Sequence, residues 1–224
     1  MTTRASSAVE YVPSFALSAQ QERVVDPGKQ GMMNSSASTW RPDLRYVVLL
    51  RAVNAGADSR ITTASLRECV EQAGITVLES YLPSGNLLIE APRTRTAHLA
   101  AQIGRAVGQR LGRPTPAVVL TGTQLARVLE DAPAQWHNQP GFAHHVIFLT
   151  GSVTAAQLLS GTEPQRDLEQ VTPAGSHIYW SIRTDAASHS VLARMGRTRE
   201  YGYVTVRTLS TLEHLHQLLI EHSG

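Results

Sequence analysis

One stretch constrains this chain more than any other. Tyr46 to Arg51 is an apolar run closed by an arginine, the pattern of a strand buried on both faces. It leads into a loop of small residues and then into a helix that Thr62 or Thr63 can cap and Gly74 can end, through about Ala73. Two more strands, Thr76–Leu82 and Leu87–Glu90, flank the turn Pro83-Ser84-Gly85-Asn86. In Thr96–Leu111 the residues Leu99, Ile103, Val107 and Leu111 recur at helical spacing, and Ala117–Leu120 is a further strand. Gly104 and Gly108 cost that helix roughly 1 kcal/mol each relative to Ala, so small residues one turn apart point to close packing against the sheet rather than to a ligand. The order β-α-β-β-α-β is the split βαβ of ferredoxin-like folds.

The rest of the chain repeats this order less cleanly. Thr123–Asp131 predicts a short linking helix, and Ala132–Gly141 a loop. A second part then restarts with the strand Val146–Thr150 and the helix Thr154–Ser160. Strands follow near Leu168–Val171 and His177–Ile182, with a turn at Pro173–Gly175 between them. Ser188–Met195 reads as a helix, and Thr208–His222 as a terminal helix whose apolar stripe is Leu212, Leu215, Leu218 and Leu219. The expected organisation is a flexible N-terminal tail over 1–42, a first ferredoxin-like part over 43–122, a linking helix and loop over 123–143, and a degenerate second part with a terminal helix over 144–224. The fold class is α+β. The tail is rich in Ser, Ala, Gln and Gly, with YVPSFAL (Tyr11 to Leu17) as its apolar patch, and the natural start is expected near Met32 or Met33.

Composition narrows function mainly by exclusion. Of the 224 residues, 42% are hydrophobic, which is enough for a core. The formal charge of +2 is too small to argue for nucleic acid on its own. No run approaches the roughly 20 apolar residues of a membrane span, and no signal peptide is legible, so the cytoplasm is the expected compartment. Cys69, the single cysteine, sits beside the apolar Leu66–Val70 row of the first helix and reads as a buried structural thiol. His144 and His145 are adjacent at a strand start, which turns them to opposite faces. His214 and His216 are two apart on a helix and cannot share a metal as an i, i+4 pair would. No cofactor, metal-ligand set or catalytic residue is assigned.

The residues Tyr46-Val47-Val48-Leu49-Leu50-Arg51-Ala52-Val53-Asn54-Ala55-Gly56-Ala57, Leu66-Arg67 and Tyr81-Leu82-Pro83-Ser84-Gly85-Asn86-Leu87 resemble the opening strand, first helix and turn of the bacterial domain-of-unknown-function 1697 family. The resemblance runs from about Arg45 onward and implies two ferredoxin-like parts. The chain departs from the family pattern with Ala52 and Ala57 in place of glycines. It also departs at Ser190-Val191-Leu192 and Gly202–Leu209, where two lysines and an Asn-Trp pair of the family are missing.

Candidate binding residues fall in three groups. Arg51, Asn54 and Gly56 lie where a strand leaves the sheet and a helix is about to begin, a place where backbone N–H groups and a guanidinium can hold an anion. Ser84 and Asn86 belong to the hairpin. In a ferredoxin-like sheet that hairpin is expected to leave the end opposite the first loop, keeping Asn86 from Asn54. Arg194, Arg197 and Arg199 cluster late in the chain with Tyr201 and Tyr203 interleaved. The leading expectation is a protein that binds a small anionic metabolite, with or without turnover, in the cleft between its two parts. The alternatives are a single-stranded nucleic-acid-binding module and a non-catalytic interaction protein, with the oligomeric state left open.

Overall fold

The computed structural model describes residues 45–51, 53–54, 61–82, 84–151, 153–196 and 198–222. The expected tail over 1–42, Gly56 and Arg197 lie outside the described residues. The first half contains β1 (Arg45–Leu50), α1 (Thr63–Gln72), β2 (Thr76–Tyr81), β3 (Asn86–Glu90), α2 (Thr96–Leu111), β4 (Ala117–Thr121) and α3 (Gly122–Glu130). The second contains β5 (Phe142–Leu149), α4 (Ala155–Leu159), β6 (Glu169–Ala174), β7 (His177–Arg183), α5 (Val191–Met195), β8 (Val204–Thr208) and α6 (Leu209–Glu221). Each half builds a four-stranded sheet, ordered β2-β3-β1-β4 and β6-β7-β5-β8, with β1 and β5 each antiparallel to both neighbours. The fold is thus α+β with two consecutive ferredoxin-like parts.

The repeated unit is one helix longer than a ferredoxin-like motif. In each half the last strand runs straight into a helix capped by a threonine: Thr121 accepts from the Gln124 N–H at 3.1 Å, and Thr208 from the Thr211 N–H at 3.2 Å. These two helices, α3 and α6, pack on each other between the sheets. Val47, Leu49 and Leu88 of the first sheet, Leu125 and Val128 of α3, Leu212, Leu215 and Leu219 of α6, and Val146, Phe148 and Tyr179 of the second sheet form one apolar cluster. On its other face the first sheet turns Tyr46, Val48, Leu87 and Ile89 to α1 and α2. The second turns Ile147, Ile178 and Trp180 to residues of α4 and α5. Burying both faces of each sheet is what demands the unbroken apolar run of β1.

Three features differ from the sequence expectation. First, the β2–β3 hairpin and the loop after β1 leave the same end of the sheet: β3 runs antiparallel to β1, so Asn86 stands opposite Leu49, and the Leu50 N–H donates to the Gly85 carbonyl at 2.8 Å. Second, Val204–Thr208 is a strand, and the terminal helix starts one residue later, at Leu209, with Thr208 as its cap. Third, β5 begins at Phe142, and the helix expected over Ser188–Met195 divides into a 3-10 turn, Thr184–His189, and the short α5.

The glycines of α2 do pack closely, against backbone. A methyl group at Gly104 would stand 2.8 Å from the Thr115 carbonyl oxygen, and one at Gly108 would stand 3.0 Å from that of Arg113. Ordinary helix propensity favours Gly104→Ala by roughly 1 kcal/mol. The contact with a backbone oxygen reverses the sign, and the substitution is expected to destabilise by about 1–3 kcal/mol in urea unfolding; a stabilised variant would show that α2 can shift away from the loop.

Candidate functional site

The two halves meet at Arg207. β8 turns Val204 and Val206 into the apolar cluster on the α4/α5 side, and the strand alternation sends Thr205 and Arg207 to the opposite face, against the first half. A guanidinium has five N–H donors in a fixed fork, and each of the five finds an oxygen. Nε donates to Asn86 Oδ1 at 2.5 Å, and Nη1 to Thr205 Oγ1 at 2.9 Å and the Val206 carbonyl at 2.8 Å. Nη2 donates to the carbonyls of Leu50 at 2.8 Å and Ser84 at 3.1 Å. All five acceptors are neutral. Burial lowers the Arg207 pKa to about 10, which leaves it charged at neutral pH.

Asn86, itself fully buried, passes this bond into the hairpin: its Nδ2 donates to the Tyr81 carbonyl at 3.0 Å and Ser84 Oγ at 3.1 Å. Gly85 sits at φ +81° with Leu50 and Val53 against it, so the turn closes over the end of β1. Ser84 and Asn86 are thus engaged within the protein, holding Arg207. Asn54 is likewise engaged: at φ 60° its side chain accepts from the Ile61 N–H at 2.7 Å and donates to the Ile61 carbonyl at 3.0 Å.

Arg51 crosses to the other half. Its Nε donates to the Tyr201 carbonyl at 3.2 Å, and its guanidinium carbon lies 5.8 Å from the centre of the Tyr201 ring. Tyr201 belongs to a 3-10 turn, Glu200–Tyr203, that is tied at its far end by Thr150, whose N–H and hydroxyl both donate to the Tyr203 carbonyl at 2.7 Å. On the outer side of this turn is a cleft of about 580 Å³. Arg199, Glu200 and Tyr203 line it from the turn, and Gln157, Ser160 and Thr162 from α4 and the residues after it. Arg194 is exposed and donates to the His189 carbonyl at 2.7 Å. The structure therefore brings Arg51, Tyr201 and Arg199 into one neighbourhood and gathers Asn54, Ser84 and Asn86 at the end of β1, while Arg194 is tied to His189 just before α5.

Sequence reasoning did not single out Arg207 or the α4 residues. For Arg207 a signal existed: in Val-Thr-Val-Arg-Thr the arginine shares the parity of Thr205, so a two-sided strand would bury both.

The histidines of the second sheet, His144, His145 and His177, serve packing. His144 stacks on Trp136 at 4.7 Å and its Nδ1 lies 3.0 Å from Ser181 Oγ, while His145 occupies the opposite face of β5, 2% exposed. Burial lowers the pKa of His144, His177 and His145, the last to about 4. Cys69 is buried, and burial raises its thiol pKa. Among the described residues no group of three or more His, Cys, Asp or Glu is placed to hold a metal, and no helix is long and apolar enough to cross a membrane.

Fold and seam together define a tandem ferredoxin-like protein whose halves are joined through a buried arginine. The family model described as "Protein of unknown function (DUF1697)" matches residues 44–179, more than half the chain, and the chain belongs to that family. Among solved structures it is similar to the conserved bacterial protein SP0830 from Streptococcus pneumoniae, with TM-score 0.66 and 22% identity over 79% of this chain and 98% of that one. That likeness is one of fold. No curated protein matches the chain.

Two outcomes follow from the seam and the histidines. Arg207→Met leaves the Asn86, Leu50 and Ser84 oxygens without their donor, and is expected to cost about 1–3 kcal/mol in urea unfolding; a loss below about 1 kcal/mol would mean that water replaces the guanidinium. His145 stays neutral in the fold to about pH 4, whereas in the unfolded chain it takes a proton near 6.5. Stability is therefore fully present above pH 6.5 and is lost as the pH falls towards 4. From His145 alone the loss at pH 5 is about 2 kcal/mol, measurable against His145→Gln as a flatter profile.

Proposed function

We propose that this protein binds a small anionic metabolite in the cleft between α4 and the 199–203 turn, with Arg199 as its principal charged contact. The observation that carries this reading is the exposed Arg199 guanidinium on the cleft wall, which has no side-chain partner among the described residues. Arg51 supports it from the seam by holding the turn through the Tyr201 carbonyl. An unpartnered guanidinium beside hydroxyl groups suits bidentate capture of a carboxylate or phosphate.

The comparison of the halves favours the same place. In the first half α1 packs against the 16-residue α2. In the second, α5 has five residues, and α4 packs against the 3-10 turn. The cleft opens where the second half departs from the first, and departures from a repeat are where a scaffold gains a specific site. Turnover is not part of the proposal, since no nucleophile–base pair is assigned. The buried single thiol suits a reducing compartment, and the proposed location is the cytoplasm.

Single-stranded nucleic acid is the weaker reading. Ferredoxin-like RNA binders stack bases on an open sheet face, and here helices pack on both faces of each sheet. Thermal-shift measurements with phosphate, nucleotides, sugar phosphates and carboxylates test the proposal. A dose-dependent rise in Tm with at least one of them, abolished in Arg199→Gln, is expected. No shift with any anion overturns it, and salt-sensitive retention on an oligonucleotide moves the assignment to the alternative.

A further inference from the structure

The cleft beside α4 presents a carboxylate as well as a guanidinium. Arg199 and Glu200 are consecutive, both are exposed, and both line it. Neither forms an ion pair or a side-chain hydrogen bond among the described residues. A guest with only negative charge would gain from Arg199 and be repelled by Glu200 at the same wall. A guest with both charges a few ångströms apart satisfies the two side chains together. Val153 and Leu158 supply an apolar stretch of wall on which the remainder of such a guest can lie. The volume of about 580 Å³ leaves room for more than a charged head group.

Resting on the anion reading above, the geometry points to a compact zwitterion of the α-amino-acid class as the guest, with its carboxylate on Arg199 and its ammonium at Glu200. The pairing is by charge, so a free amino group is required as strictly as a free carboxylate. Neighbouring hydroxyls of Ser160 and Tyr203 bind without adding charge, which leaves the two ionic contacts to set the class.

The test uses the full chain and isothermal titration with the free α-amino acids, their N-acetyl forms, which lack the ammonium, and their amides, which lack the carboxylate. At least one free amino acid is expected to bind, with its N-acetyl form and its amide at least tenfold weaker. Glu200→Gln is expected to remove the preference for the free over the N-acetyl form, and Arg199→Gln to remove binding altogether. Unfolding curves without ligand check that both exposed substitutions leave the fold intact. If N-acetyl forms or simple carboxylates bind as well as free amino acids and Glu200→Gln changes nothing, the zwitterion assignment falls and anion binding stands. If free amino acids bind and neither substitution weakens them, the assignment to this cleft falls. If neither amino acids nor the anions of the thermal-shift panel bind, both readings fall.

Discussion

A buried positive charge with no negative charge beside it holds the two halves of this protein in register. Arg207 donates to Asn86, Leu50 and Ser84 of the first half and to Thr205 and Val206 of its own strand. Removing a guanidinium from water is costly, and here the compensation comes from carbonyl, amide and hydroxyl dipoles. Such an arrangement works only if every oxygen is already in place. The hairpin turn, the end of β1 and the edge strand β8 must all be formed before the arginine can be buried. The seam is therefore a demanding contact, and the 199–203 turn leads directly into its strand β8.

The two halves share element order, strand order and even the threonine-capped helix after the last strand. They differ where α2 is matched by a 3-10 turn and a five-residue helix. The first half uses its long helix to fill space: Gly104 and Gly108 let the backbone of Arg113–Thr115 approach closely. The second half leaves that space partly open. Arg51 of the well-packed half reaches across to steady the turn that walls the opening. One half thus acts as a frame, and the other carries the cleft proposed for binding.

Much of the first half was legible in the sequence, because β1, α1 and α2 have strong apolar periods and a Gly at the helix end. The family resemblance rested on the same residues. What was hidden depended on tertiary direction. The hairpin and the first loop share an end because β3 is antiparallel to β1, a fact of topology that residue order alone left open to misreading. β8 was missed because five residues between a Tyr/Gly-rich segment and a helix carry little signal. β5 extends to Phe142, beyond the expected Val146, because Phe142 to His145 pair with β7 although they lack a continuous apolar run, and His145 is almost wholly buried. At the site, Asn86 and Ser84 stood out as turn residues, and nothing in the residue order singled out Arg207. Their shared role appears only once strand parity is fixed by the sheet.

The layer made by α3 and α6 decides how the molecule can be divided. Leu125 and Val128 come from one half, Leu212, Leu215 and Leu219 from the other, and they enclose one another between the sheets. Excision of either half would strip the survivor of its inner lining and expose the back of its sheet along with its helix. The apparent duplication is accordingly not a pair of modules on a string. Loss of one copy would leave the other with an uncovered apolar sheet face, a cost that ties the two copies together.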